Sequence, residues 1–395
     1  MEKRIEELCL DVIDCPHSTP KWTANGKIVI RNFNIKNGKL DLSNPSYTTQ
    51  EDYEKRIQRA KPEEGDIIIT REAPMGEVCI VPPGLECCLG QRLVLLKTNK
   101  KICDSLYLMY AIMSPMVQNQ IISSGTGSVV ANLRIPALKN LNIPYCDIDI
   151  QRNISKELKI LDQRFVNNNS EMLTLNEMLT AIYEKWFGKF ISIKLQNEHD
   201  FKQNEMSNIF SNIKEMKVKN KEERDYKVLS VVKEGEFKAS EDVFTKQVYS
   251  KSTKNYKIVR RNQVAYNPAR ANIGSIAMLK EYDVGLVSPM YTVFEMKDTI
   301  TPAFFYYYMK QPIFHEMIKH HAIGTTRQNF PFEAFKMFPM VVPPMELQLK
   351  FEEIAKPIEH KIAKLKEENE VLAEIRDTLL PKLMSGELPV EVGEK

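Results

Sequence analysis

Arginine, asparagine and glutamine gather beside turn-forming residues at two places in the chain. In the first half they are Arg71, Gln91 and Arg92, next to Ala73-Pro74-Met75-Gly76 and Leu89-Gly90. In the second they are Arg270, Asn272, Arg327, Gln328 and Asn329, next to Asn267-Pro268 and Gly324. Each of these side chains can make two parallel hydrogen bonds to a base edge in the major groove, arginine to guanine and the amides to adenine. Such loops suit recognition of duplex DNA, with no bond made or broken. Half or more of protein–DNA hydrogen bonds go to phosphate and sugar. Some of these residues are therefore expected to contact phosphates or to pin loops, and Lys21, Lys251 and Lys254 are candidates either for phosphate contact or for a plain solvated surface.

The sequence offers little for other chemistries. It contains no HExxH, GxSxG or GxxxxGK[ST] motif. Asn267-Pro268-Ala269 shares its start with the Asn-Pro-Pro-Tyr motif of amino-methyltransferases. It lacks the second proline and the aromatic residue that would stack on a flipped base. No Gly-rich loop precedes it, so no cofactor is expected on this chain. The seven cysteines show no CxxC spacing and are odd in number. That pattern argues for reduced thiols in a cytoplasmic protein. The six histidines are scattered, so no metal site is expected. No apolar run approaches the ~20 residues of a membrane span, and Met1-Glu2-Lys3-Arg4 leads into no signal-like apolar stretch. A net charge of +3 is modest for a nucleic-acid binder. Glu352, Glu353, Glu359, Glu367, Glu368, Glu370 and Glu374 concentrate acid in one segment, which leaves the rest more basic than the whole.

Two loop sets need a frame, and the chain supplies one twice. Asn176-Glu177-Met178-Leu179-Thr180-Ala181-Ile182 recurs 193 residues on as Asn369-Glu370-Val371-Leu372-Ala373-Glu374-Ile375. Ile150-Gln151 recurs 197 residues on as Leu347-Gln348. Around these repeats apolar residues recur every three or four positions, the signature of a coiled-coil seam. The expected interface residues are Leu158, Leu161, Phe165, Leu175, Leu179 and Ile182 on one helix, and Ile354, Ile358, Leu365, Leu372, Ile375 and Leu379 on the other. Asn168 is a polar break, matched 193 residues on by Lys361. The change of offset by four residues is expected to be absorbed by a stutter. Each helix should run roughly 35 to 40 residues, about 55 to 60 Å. Helices that long need cover, and each is the natural partner of the other, packed antiparallel.

The expected organisation is a first arm at 1–149, a first spacer helix at 150–190, a linker at 191–224, a second arm at 225–344, a second spacer helix at 345–386 and a tail at 387–395. Strands are expected in the first arm at 27–30, 66–70, 77–81 and 93–96, with a helix at 105–120. In the second they are expected at 226–232, 258–259, 263–266, 275–279 and 290–295, with a helix at 303–319. The Asn-, Lys- and Glu-rich linker carries at most a short helix near 205–216. Gly65-Asp66 parallels Asn262-Gln263, Ala73-Pro74-Met75-Gly76 parallels Ala271-Asn272-Ile273-Gly274, and Gly127 to Leu133 parallels Gly324 to Phe330. The fold class is α+β: two pseudo-symmetric arms joined by two long antiparallel coiled-coil helices.

These residues resemble the specificity subunit of type I restriction-modification systems over nearly the whole chain. Ile13-Asp14-Cys15-Pro16-His17-Ser18-Thr19-Pro20, the stretch from Gly65 to Gly76, and Leu89-Gly90-Gln91-Arg92 look like one class of target recognition domain. The stretch from Ala265 to Ser275 and Gly324-x-x-Arg327-Gln328-Asn329 look like a second class, and Leu379 to Glu387 resembles the common C-terminal ending. The resemblance implies α/β-type recognition domains, each reading one half of a bipartite DNA target, with the helix pair setting the gap. It implies a non-catalytic chain within an adenine-specific methyltransferase and ATP-dependent endonuclease. Its partners would be double-stranded DNA and two modification subunits, with room for restriction (translocase and nuclease) subunits. S-adenosylmethionine, ATP and Mg would belong to those partners. A methylation-only or phage-defence complex, or a DNA-free coiled-coil scaffold, are the alternatives.

Overall fold

The computed structural model describes residues 1–125, 131–191, 206–243, 252–324 and 328–390; Lys251 and Arg327, and most of the stretch from Gly127 to Leu133, lie outside them. The chain forms two compact units, Met1–Asn169 with Lys366–Lys395, and Ser170–Leu365. Each unit holds one α+β arm and about half of each long helix.

In the first unit an antiparallel sheet runs in the order Cys9–Asp14, Leu93–Thr98, Ile67–Thr70, Val78–Ile80. Alternate residues point to opposite faces of a strand. Ile67, Ile69, Val94 and Leu96 pack into a cluster with helix Ser105–Met113. Ile68, Leu93 and Leu95 pack the other way, on Ile30, Cys87 and Leu89. These last belong to a second sheet, ordered Cys87–Leu89, Lys27–Ile30, Ser46–Thr48, Trp22–Thr23. Both faces of the central sheet are thus covered, which is why its strands read as apolar runs.

The second unit repeats the plan with Ile213–Met216, Thr292–Met296, Val264–Tyr266 and Ile276–Met278 in that order. The turns match as well. Gly65 and Asn262 both take positive φ, 84° and 65°, a region open to glycine and tolerated by asparagine. Gly76 and Gly274 do the same at 89° and 99°.

Three expectations need correction. The second arm starts at Met206, inside the expected linker. Met206–Asn208 pairs with Pro339–Val341, and Ile213–Met216 with Thr292–Met296. Only residues 209–212 of the expected short helix are helical. The single helices expected at 105–120 and 303–319 are each two: Ser105–Met113 with Pro115–Ser124, and Pro302–Met309 with Pro312–His321. The residue before a proline is pushed out of the helical region; Ser114 and Gln311 sit at ψ 146° and 140°. The third concerns the seam. The long helices are Ile148–Ile191, 44 residues, and Met345–Ser385, 41 residues. Their buried positions keep the 197-residue offset throughout: Leu158 matches Ala355, Asn168 matches Leu365, Tyr183 matches Leu380 and Phe187 matches Met384. No stutter intervenes. Ile375, expected in the seam, is 39% exposed. Leu380 is buried and Arg376 is mostly covered; Ile375 lies about 100° round the helix from Arg376.

The helices run antiparallel in each unit. Between Glu171 and Phe187 the partner recedes from Lys361, 3.3 Å from Glu171, to Phe351, whose ring centroid is 5.4 Å from that of Phe187. In the other unit Arg164 pairs with Glu368 at 2.6 Å, while the earlier Ile154 and Leu158 share a cluster with the later Leu380, Leu383 and Met384. Of the expected seam, Leu158, Leu179 and Leu365 are fully buried. Leu161, Phe165, Leu175, Ile182, Ile354, Ile358, Leu372 and Leu379 are partly so.

Two glutamines tie arm to helix. Gln151 and Gln348 are 0% exposed. Gln151 Nε2 donates to Cys146 O at 2.7 Å while its Oε1 accepts from Asp104 N, the N-cap of helix Ser105–Met113. Gln348 Nε2 donates to Pro343 O at 2.8 Å while its Oε1 accepts from Thr301 N, the N-cap of Pro302–Met309. Tyr110 donates to Asp162 Oδ2 at 2.6 Å. Burial first, and then this carboxylate, push the Tyr110 phenol well up, so it stays a donor at any ordinary pH.

Asn168 is more than a break. It is 1% exposed and donates to Asn369 Oδ1 at 3.0 Å; Asn369 donates to Asn169 Oδ1 at 3.1 Å. A buried polar pair in a seam fixes register at a cost in stability. Asn369→Leu alone strands the Asn168 amide and should lower stability by about 1–3 kcal/mol. Asn168→Leu with Asn369→Leu should recover that loss. Urea denaturation of both variants checks this; a double variant weaker than the single one would show that the pair is a net stabiliser instead.

Candidate nucleic-acid interface

In the first arm the parallel strands Lys27–Ile30 and Cys87–Leu89 end level, with Ile30 opposite Leu89. Parallel pairing therefore brings Arg31 beside Gly90-Gln91-Arg92. Gly90 N donates to Ile30 O at 2.8 Å, and a Cβ at Gly90 would lie 2.8 Å from that oxygen. Only glycine allows so close an approach. The loop after Thr70 joins the same edge: Arg71 N donates to Arg92 O at 2.9 Å.

The expected site residues of this arm fare differently. Arg71 is spent on the fold. Its Nη1 pairs with Asp14 Oδ1 at 2.9 Å, Nε donates to Leu133 O and Nη2 to Asn132 Oδ1, and its side chain is 13% exposed. Three protein groups thus hold the Arg71 side chain within its own arm. Arg92 is exposed and pairs with Glu72 at 3.0 Å. Gln91 is exposed and donates to His17 O. Lys21 is exposed beside Trp22.

The sequence reading missed a group at this edge. The Arg31 guanidinium lies 4.8 Å from the Trp22 ring centroid and 4.6 Å from that of Phe33. Trp22 is 46% exposed and Phe33 54%. Asn32 donates to Glu72 O and so ties this turn to the loop that carries Arg71. The available signal was the twice-repeated neighbourhood of cation and aromatic, Lys21-Trp22 and Arg31-Asn32-Phe33.

In the second arm the chain turns between strands Val264–Tyr266 and Ile276–Met278. Gly274 is forced there, since a Cβ would lie 2.2 Å from Lys233 O. Arg270 stands exposed on this turn, its carbonyl accepting from Ser275 N at 3.1 Å. Asn272 Nδ2 donates to Gln328 Oε1 at 2.6 Å. Asn329 is held by two backbone bonds to Ile323, and Phe330 N donates to Pro268 O at 2.9 Å. Arg270, Asn272, Gln328 and Asn329 are therefore brought together. Arg327, expected with them, lies outside the described residues, and Lys254 is exposed on its own turn.

Among the described residues no helix is long and apolar enough to cross a membrane, and no group of three or more His, Cys, Asp and Glu residues could hold a metal ion. What both arms present is exposed arginine and amide side chains on glycine-fixed turns.

Comparison with known proteins bears on both arms. The family model described as type I restriction modification DNA specificity domain matches residues 2–175 and again 197–374. The type I restriction enzyme MjaIX specificity subunit of Methanocaldococcus jannaschii is 24% identical over 402 residues, covering 96% of this chain and 88% of the relative. The crystal structure of a type I restriction-modification system S subunit from M. genitalium superposes with a TM-score of 0.56 at 18% identity. That superposition covers 97% of this chain and 95% of the other, a likeness of fold.

Proposed function

Because the chain belongs to the type I restriction-modification DNA specificity family, we propose that each arm reads one half of a two-part DNA target and that the helix pair sets the gap between the halves. The observation that carries this is the family match to both arms in turn, with exposed arginine on each at a turn that glycine alone permits. The chain performs no catalysis in this reading. It binds DNA, docks two modification subunits and leaves room for restriction subunits. S-adenosylmethionine, ATP and Mg are held by those partners, in the cytoplasm.

Hydrogen bonding explains how such a surface selects. A guanidinium or amide aligned to the wrong base loses its bonds yet stays desolvated, which costs about 1–3 kcal/mol per pair. Phosphate contacts add affinity without selection. Coexpression with modification subunits, followed by sequencing of methylated adenines, tests the reading. A methylated site of two fixed halves around a constant gap is expected; methylation without a shared sequence would sink it.

Arg270→Ala separates the two kinds of contact. It should weaken binding of the cognate duplex by about 1–3 kcal/mol while binding to random DNA hardly changes. Fluorescence anisotropy on both duplexes reads this directly. An equal loss on both would reassign Arg270 to phosphate.

A further inference from the structure

We propose that Arg31, held against the rings of Trp22 and Phe33, is the side chain with which the first arm reads a guanine edge in the major groove. This rests on the DNA-reading function above and names the residue and base that serve it. Three observations converge on it.

The first is posture. An exposed arginine normally samples many rotamers and loses that freedom on binding. Here two rings, with centroids 4.8 and 4.6 Å away, hold the group in place before DNA arrives. Contact of a cation with ring faces consumes none of its N–H donors. The planar fork of those donors is what meets O6 and N7 of guanine in a bidentate contact.

The second is availability. The other arginines of this edge are engaged, Arg71 with Asp14, Leu133 and Asn132, and Arg92 with Glu72. Arg31 Nη1 reaches Ser46 Oγ only at 3.5 Å, the outer limit of a hydrogen bond.

The third is placement. Arg31 follows directly on a strand whose neighbour leads into Gly90-Gln91-Arg92, and Asn32 anchors its turn through Glu72 O. The reader thus follows the end of an inner strand, paired on both sides. Trp22 and Phe33 are exposed apolar rings whose common contact is this cation, a use that isolated surface aromatics do not have.

The test uses the full chain with its modification subunits and the target that the wild type methylates. Arg31→Ala should weaken cognate binding about 10- to 100-fold and leave random DNA nearly unchanged. It should relax the sequence of methylated sites at one G·C pair, within the half-site read by the first arm. Arg31→Lys should recover only part of the loss, because an ammonium keeps the charge but lacks the planar fork. Trp22→Ala and Phe33→Ala should each show a smaller loss at the same base pair. Equal loss on both duplexes, full rescue by lysine, or relaxation in the other half-site would each overturn the assignment, in favour of a phosphate contact or a structural role. If the wild type selects a two-part target and Arg31→Ala selects the same one equally well, this assignment alone fails. If the wild type selects no sequence, the functional reading fails and the assignment with it. Unchanged melting of Arg31→Ala, and an unchanged second half-site, exclude misfolding as the cause.

Discussion

Modification subunits assembled on a chain carrying four extra residues in each long helix, a second copy of 171–174 in one and of 358–361 in the other, should methylate a site with the same two half-sequences and a gap two base pairs longer. Both helices must be lengthened at the same level. Glu171 meets Lys361 at 3.3 Å, and Tyr183 and Phe187 meet Phe351, so a one-sided insertion would slide one face past the other. Four residues add about 6 Å, against about 6.8 Å for two base pairs. They also rotate a helix about 40° past a full turn. Two base pairs rotate right-handed DNA by about 70°, so the shortfall is small enough to spread along the gap.

Seven residues at the same points make the sharper control. A heptad preserves the seam better than four do and adds about 10.5 Å, close to three base pairs. Its rotation falls about 20° short of whole turns, whereas three base pairs turn DNA by about 100°. A spacer that measures both distance and phase should therefore accept four and fail with seven. Sequencing of methylated adenines in cells expressing each version reads the gap. A constant gap in all versions would mean that the helices serve packing and docking only, and a gap that lengthens with seven but not with four would mean that seam register, not DNA phase, decides.

The same helices show what a sequence can and cannot reveal. Their existence was legible because a three-four apolar period persists over many turns. Their internal alignment was not. The match of Asn176–Ile182 with Asn369–Ile375 differs from the true offset by four residues, about one turn, so both alignments leave apolar residues on nearly one face. Only burial shows that Arg376, not Ile375, lies toward the covered side. The start of the second arm was hidden for another reason. Met206–Asn208 is a three-residue strand whose partner, Pro339–Val341, lies far along the chain, and a strand so short carries no period of its own. The breaks at Ser114-Pro115 and Gln311-Pro312 were written in the sequence and outweighed by the apolar run around them.

The proposed recognition residues divide likewise. The turn holding Arg270, Asn272, Gln328 and Asn329 was legible, since Gly274 and Gly324 mark turns that expose what they carry. The engagement of Arg71 was hidden because its partner Asp14 comes from another strand; adjacency to a loop cannot tell whether a guanidinium has a partner within the fold. Arg31 was missed because its place beside Gly90 arises from a parallel strand pair, which leaves no local signature.

Phe351→Ala should give the largest loss of stability of any single change to the second helix. Phe351 is 0% exposed. Its ring centroid lies 5.5 Å from that of Tyr183, 6.4 Å from Trp186, 5.4 Å from Phe187 and 5.3 Å from Tyr307. It therefore joins the first helix, the second helix and helix Pro302–Met309 in one aromatic cluster, to which Phe304 adds contacts at 5.0 and 5.7 Å. Truncating a buried phenylalanine costs about 3–5 kcal/mol, because the surrounding rings relax only partly into the cavity. The position 197 residues earlier is the smaller Ile154, 2% exposed, in the core of the other unit. Ile154→Ala should cost less, about 2–5 kcal/mol with values near the lower end, and should act on that unit. Hydrogen exchange separates the two effects. Phe351→Ala should raise exchange in 175–190 and 302–309 while leaving 67–70 and 93–98 protected, because its contacts lie in one cluster and those strands in another. Equal loss of protection in both would mean that the two units unfold as a single cooperative body, and that the helices pass destabilisation from one arm to the other.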